Sequence, residues 1–154
     1  MREQPLIHCK IKSSTIFLDQ YDTPRIGGFS FANNCDGKPL VPANSMKKCL
    51  PYWPSNFGSS EAASTKIDVY SFGIVLFELA TGLNPHRMLA NGQDLKDFIT
   101  QYSGNCCELK DRRISGGDEI FLGFLKIGSM CVATRPENRP EIVDVLEALE
   151  NIKE

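Results

Sequence analysis

The chain has 154 residues, of which 42% are hydrophobic, and this is enough to build one globular domain around a single core. Charged residues make up 23% of the sequence and the formal net charge is −2, so we expect no basic surface suited to nucleic acid. The sequence shows neither an apolar N-terminal stretch like that of a signal peptide nor a segment long enough to span a membrane, so we expect a cytoplasmic protein.

The N-terminal part predicts a small β-hairpin followed by a long loop. Ile16–Leu18 and Pro24–Ile26 flank DQYDT, a polar connection that suits a short β-hairpin. From residue 27 to about residue 60, glycine, proline, asparagine and serine recur without a helical or strand period. Loops of this length inside a compact domain are usually functional or mobile, so we interpret this one as a functional segment.

The rest of the chain predicts about four helices. A central buried helix is predicted by STKIDVYSFGIVLFELATG, which is apolar on nearly every face. Thr65 and Asp68 are predicted to form its capping box, and Gly82 is predicted to end it. QDLKDFITQY and DEIFLGFLKIGSMCVAT predict two more helices. The last helix, in RPENRPEIVDVLEALENI, has one predicted apolar stripe, formed by Ile142, Val145, Leu146 and Leu149.

The number and spacing of the cysteines and histidines do not favour a metal site or a disulfide framework. The sequence has six cysteines and two histidines, but no CxxC pair. In a cytoplasmic chain the cysteines are expected to remain reduced thiols, and we predict no metal site.

Four motifs, in this order, resemble the C-terminal lobe of a eukaryotic protein kinase. HCKIKSSTIFLD resembles the catalytic loop H-x-D-x-K-x-x-N, and RIGGFSFA resembles the segment KIGDFGLA. KIDVYSFGIVLFELATG and RPENRPEIVDVLEALE resemble the central and last helices of that lobe. The sequences of these motifs are most similar to those of the interleukin-1-receptor-associated and Pelle kinases and their plant receptor-like relatives. The resemblance implies a mainly α fold and assigns residues 1–154 to a partial kinase-like domain, from catalytic loop to final helix, without the N-terminal lobe.

The resemblance also implies that the catalytic residues have been replaced. Kinases use an aspartate to accept the substrate's hydroxyl proton, and an asparagine and a second aspartate to hold magnesium on the phosphates of ATP. The matching positions are Lys10, Thr15 and Gly28, so the proton acceptor and two metal ligands are missing. Lys12 matches the lysine that contacts the transferred phosphate, and we interpret it as a surface cation left without that role.

Four other positions match residues that maintain the kinase fold. His8 and Phe29 match two members of the internal spine, and Asp68 matches the aspartate that binds the backbone of the catalytic loop. Arg139 matches the arginine that pairs with a glutamate at the end of the activation segment. Because that motif appears here as Trp53-Pro54-Ser55, we predict that the ion pair is missing and that the segment is tethered less firmly.

These observations favour a catalytically inactive, kinase-like lobe that binds other signalling proteins, such as kinases or adaptors of its pathway. No cofactor is expected, although the family uses ATP and magnesium, because the glycine-rich loop and the lysine that hold ATP are not present. Two alternatives stay open: a fragment of an active serine/threonine kinase, and a truncated product without selected function. Without preceding helices to cover it, we also predict that the central helix leaves apolar surface exposed.

Overall fold

A computed structural model describes residues 5–34, 47–58 and 61–152. Two small antiparallel sheets lie in the N-terminal part. In one, β1 pairs with β4, and in the other the predicted hairpin forms from β2 and β3, with Phe17 opposite Arg25. The strands are β1 (Leu6–Ile7), β2 (Ile16–Leu18), β3 (Pro24–Ile26) and β4 (Asn33–Asn34). Both predicted strands of the hairpin are therefore confirmed.

Five α-helices follow in the part of the chain that the structure describes, one more than the sequence predicts. They are α1 (Thr65–Thr81), α2 (Pro85–Ala90), α3 (Leu95–Thr100), α4 (Asp118–Cys131) and α5 (Ile142–Glu150). The additional helix is α2, whose six residues are too few to show a periodic pattern. It begins at Pro85, and the side chain of Asn84 accepts a hydrogen bond from the backbone N–H of Arg87.

Helix α1 lies at the centre of the core, as predicted. Its side chains contribute to three apolar clusters: one is shared with α3 and α4, another with α4 and α5, and through Ile67 a third with the N-terminal part of the chain. Helices α1 and α4 approach closely because glycines face the contact: a Cβ at Gly128 would lie 2.6 Å from the ring of Phe77, and one at Gly73 would lie 2.7 Å from Cys131 Cβ. The predicted apolar exposure of α1 is wrong, since Leu79 is its only exposed large hydrophobic side chain among the described residues.

Of the two predicted ends of α1, the C-terminal one is confirmed and the N-terminal one is wrong. Gly82 ends the helix in the left-handed conformation, with φ of 67°, and its N–H donates to the carbonyl of Glu78. The capping box of Thr65 and Asp68 is wrong, because Ser64 is the N-cap and the Asp68 carboxylate binds a different segment of the chain.

The predicted stripe of α5 is also wrong in two of its four positions. Val145 is buried and Leu149 is partly buried against the core, together with Ala148 and Ile152. Ile142 and Leu146 are exposed instead. The helix lies at the surface, so only the face that contacts α4 is covered.

The predicted long loop is partly described. Its described parts hold β4 and two 3-10 turns, Phe29–Phe31 and Leu50–Tyr52, while residues 35–46 and 59–60 lie outside the described residues. Within the described ranges, no helix has the length and apolar character needed to cross a membrane.

Candidate functional site

The residues that match the catalytic motifs lie in two segments that face each other. One segment follows β1 and the other follows β3. The backbone N–H of Gly27 donates to the carbonyl of Thr15 at 2.9 Å, and the Nε2 atom of His8 lies 3.0 Å from the carbonyl oxygen of Gly27. The structure therefore brings Lys10, Thr15 and Gly28 close together.

Lys10 lies at the position that the sequence predicts for the proton acceptor. Its Nζ donates to the hydroxyl of Ser30 at 3.1 Å and lies 4.5 Å from the centroid of the Phe31 ring. Both contacts suit an ammonium group, because the hydroxyl oxygen accepts its hydrogen bond and the ring face attracts a cation. An ammonium has no lone pair to accept a proton, so Lys10 cannot act as a general base while it is charged.

Thr15 is buried, and its hydroxyl is used within the loop. The Oγ1 atom lies 2.9 Å from the carbonyl oxygens of both Lys10 and Lys12 and accepts a hydrogen bond from the Lys12 N–H at 3.2 Å. The hydroxyl therefore closes a turn of this loop. It is not directed at a ligand.

Gly28 supplies no side chain, and the space beside it is already occupied. Its backbone is left-handed, with φ of 80°. A Cβ at this position would lie 3.0 Å from Cγ2 of Thr15 and 3.9 Å from Cδ of Lys10. A carboxylate at residue 28 would therefore meet both backbone strain and a tight contact.

Magnesium does not fit this arrangement. It requires oxygen ligands, most often carboxylates, whereas these positions present an ammonium, an engaged hydroxyl and a bare backbone. In the described part of the chain, no three His, Cys, Asp or Glu side chains are grouped as metal ligands. Lys12 is also engaged elsewhere, since its Nζ makes a long contact of 3.4 Å to the carbonyl of Lys48.

Asp68 connects α1 to this loop. Its Oδ2 accepts the N–H of His8 at 2.6 Å and its Oδ1 accepts the N–H of Cys9 at 2.8 Å. Burial raises the pKa of the Asp68 carboxyl, and the two backbone hydrogen bonds partly oppose that rise. One side chain thus positions two consecutive residues immediately before Lys10.

The residues around Asp68 form a packed support. The ring centroids of His8 and Phe29 lie 4.7 Å apart in an edge-on arrangement, although Phe29 itself is exposed. Cys9 is fully buried, has a positive φ of 58°, and accepts a hydrogen bond on its carbonyl from Trp53 Nε1. Burial, with a smaller contribution from Asp68, raises the pKa of the Cys9 thiol to about 12, so this thiol is protonated at neutral pH.

Arg139 has an ion-pair partner, contrary to the sequence prediction. Its Nη1 and Nη2 atoms donate to the two carboxylate oxygens of Glu61 at 2.5 and 3.0 Å, and both side chains are buried. The Arg139 Nε also donates to the carbonyl of Ala133 at 2.9 Å. Ser55 is exposed and takes no part in the pair.

The partner of Arg139 lies outside the predicted motif. Trp53-Pro54-Ser55 contains no glutamate, and the carboxylate comes from residue 61, just before α1. The tether of this segment is therefore present, and Glu61 is the functional residue that sequence reasoning missed. An isolated acidic residue among small polar ones was the only available signal.

Comparison with known proteins identifies one family. The sequence profile described as "Protein kinase domain" matches residues 1–149. A protein of Arabidopsis thaliana named "probable inactive receptor kinase" is 35% identical over 97% of this chain and 27% of its own length. The serine/threonine-protein kinase pelle of Drosophila melanogaster is 32% identical over 97% of this chain and 32% of its own length.

A third relative shows the same pattern. A leucine-rich repeat receptor protein kinase of Arabidopsis thaliana is 32% identical over 96% of this chain, but the chain matches only 13% of that protein. The chain thus spans a third or less of the length of these three relatives.

Proposed function

The chain belongs to the protein kinase domain family, and we propose that it is a catalytically inactive member that binds other proteins in an intracellular signalling assembly. The observation that carries this proposal is the ammonium of Lys10 at the position of the proton acceptor, held by Ser30 and the ring of Phe31. We place the protein in the cytoplasm, and we propose other signalling proteins, including kinases or adaptors, as its partners.

The size of the catalytic loss supports inactivity. A general base contributes about 10²- to 10⁴-fold to a reaction rate. Here the loss of the base coincides with the loss of both metal ligands, and magnesium is the principal partner of the transferred phosphate. Replacement of any one group by a neighbour would leave the other two missing. We therefore expect no phosphoryl transfer by this chain.

The retained contacts support a structural use of the domain. The carboxylate of Asp68 and the ion pair between Glu61 and Arg139 stabilise the fold, and neither contact needs ATP. The hairpin also presents exposed apolar side chains that a partner could cover, namely Phe17, Leu18, Tyr21 and Ile26. The name of the inactive receptor kinase from Arabidopsis thaliana agrees with this proposal.

Two alternatives remain. The name of pelle supports the first, in which the chain is a fragment of an active serine/threonine kinase. The second is a truncated product without selected function. The two differ from the proposal in a measurable way, since the first requires turnover once the chain is joined to a segment that holds ATP and the second requires no specific partner.

Metal binding and turnover test the proposal. The chain would be titrated with Mn²⁺ as a paramagnetic substitute for Mg²⁺, and separately incubated with labelled ATP, Mg²⁺ and a general protein substrate. We expect no selective broadening of the NMR signals of residues 8–30 and no turnover above that of Lys10→Ala. The triple variant Lys10→Asp/Thr15→Asn/Gly28→Asp, with both metal ligands restored, serves as the positive control for metal binding, because Thr15→Asn removes the Cγ2 atom closest to a Cβ at residue 28 and aspartate tolerates the left-handed backbone there. Turnover by the native chain above the Lys10→Ala level would support the active-fragment alternative and overturn the proposal.

A further inference from the structure

Helix α5 has a second apolar face that its own fold does not use. Val145 lies in the buried cluster that also contains Leu76 and Ile127, so the inward side of α5 is filled. The side chains of Ile142, Val143 and Leu146 point away from the core and are 56%, 67% and 57% exposed. We call these three residues the outer face. Because the inward side is packed without them, the outer face is free to contact another molecule.

The three residues of the outer face form one continuous patch. Residues 142 and 146 are four positions apart on the helix, and residues 143 and 146 are three apart, so their side chains are neighbours. Together they expose roughly 300 Å² of apolar surface, a size at which patches on monomers are often functional. Such a patch is large enough to receive one or two turns of a partner helix.

Two carboxylates lie beside the outer face, since Glu147 is four positions from Val143 and Glu150 is four positions from Leu146. Glu141 and Asp144 are also exposed at the start of this helix, and the sequence has no lysine or arginine between residues 140 and 152. Glu141 is paired with Lys66, whose Nζ lies 2.6 Å from its Oε1. Within the described ranges, the other three carboxylates have no cationic partner.

We propose that the outer face binds a basic amphipathic helix, with apolar side chains that cover Val143 and Leu146 and flanking lysines or arginines that pair with Glu147 and Glu150. Charge complementarity selects this occupant. A second copy of α5 would place carboxylates against carboxylates, and an anionic membrane would repel them in the same way. The proposal does not depend on whether the domain is catalytically inactive.

A synthetic peptide tests this inference with the full 154-residue chain. The probe is a labelled helix of about 18 residues, with leucines at positions i, i+3, i+4 and i+7 and lysines beside them. We expect saturable binding by fluorescence anisotropy that weakens at least about tenfold in Val143→Gln/Leu146→Gln and several-fold in Glu147→Gln/Glu150→Gln. The matched control is Leu79→Gln, because Leu79 on α1 is 57% exposed, as Leu146 is, and this variant should bind the probe like the native chain.

The second pair of variants guards against a folding defect, since it changes only exposed carboxylates. Three results would overturn the proposal. The first is an equal loss of binding in Leu79→Gln, which would show non-specific adhesion. The second is equal affinity for a probe with glutamates in place of the lysines. The third is a dimer in sedimentation that Leu146→Gln dissociates, which would make a second copy the occupant.

Discussion

The loop around Lys10 and the contacts that support it differ in what they retain. At the positions predicted to act on a substrate, the loop presents a lysine, a threonine engaged with the backbone and a glycine without a side chain, namely Lys10, Thr15 and Gly28. A few residues away, the supporting contacts are complete: Asp68 accepts two backbone hydrogen bonds, and Arg139 is paired with a buried glutamate.

This difference separates the requirements of folding from those of catalysis. A buried arginine without a partner would cost the domain several kcal/mol, whatever the domain does. A missing metal ligand costs nothing in stability, and here the vacated space is packed by Thr15 and the stem of Lys10. Arg139 needs a carboxylate partner, but the position of that partner in the sequence is less constrained. Here Glu61 supplies the carboxylate, although the motif Trp53-Pro54-Ser55 does not.

The strongest way to break the supporting contacts is to remove the Glu61 carboxylate. Glu61→Gln leaves the guanidinium of Arg139 buried without a counter-charge, so we expect the free energy of unfolding to fall by about 3–5 kcal/mol. Urea denaturation measures the change. Ser55→Ala is the control and should change the free energy by less than about 0.5 kcal/mol, because Ser55 is exposed. A loss below about 1 kcal/mol in Glu61→Gln would show that the pair does not hold the segment.

A smaller effect is expected at Asp68. In Asp68→Asn, an amide N–H₂ replaces one of the two oxygens that now accept from the N–H groups of His8 and Cys9. One backbone donor then has no acceptor, and we expect a loss of about 1–3 kcal/mol in the free energy of unfolding. Asp22→Asn is the matched control, since Asp22 is exposed and its positive φ of 59° suits asparagine. Equal stability of the two variants would contradict the role of Asp68.

The packing beside Gly28 can be separated from its backbone strain. Gly28 and Gly58 share a φ of 80°, but a Cβ at Gly58 would have nothing within 4 Å. We expect Gly28→Ala to cost about 1 kcal/mol more than Gly58→Ala, because only the first meets Thr15. A double-mutant cycle with Thr15→Ser, which removes Cγ2, should recover most of that difference. Equal losses in both alanine variants would mean that the space beside Gly28 is not closed.

The last expected effect is close to zero. If the loop lacks ligands for magnesium, millimolar ATP with Mg²⁺ should raise the melting temperature by less than about 1 °C, because only a ligand that binds the native state stabilises it. Differential scanning fluorimetry measures this shift, with ATP plus a chelator as the control. A magnesium-dependent rise of several degrees would show that the loop still holds the nucleotide.

Local patterns were sufficient for the elements that local physics determines. Two β-favouring triplets around a polar turn predicted the hairpin, and an apolar run that ends at Gly82 predicted α1. The pairing of Glu61 with Arg139 could not be predicted, since it depends on the path of the chain between distant residues. The exposure of Ile142 and Leu146 was not predicted. Periodicity shows which residues of a helix share an apolar stripe, but not how much of that stripe the neighbouring helix covers.

The two bonds of Asp68 also bear on the order in which the chain folds. Asp68 binds residues about 60 positions earlier in the chain, and the pair of Glu61 and Arg139 closes a still longer loop of 78 positions. Closing such long loops carries an entropic penalty that local helix formation does not. We therefore expect the helices to form before Asp68 binds the loop that follows β1. In the interval, Asp68 would be a solvated carboxylate in the first turn of α1, where the helix dipole favours a negative charge.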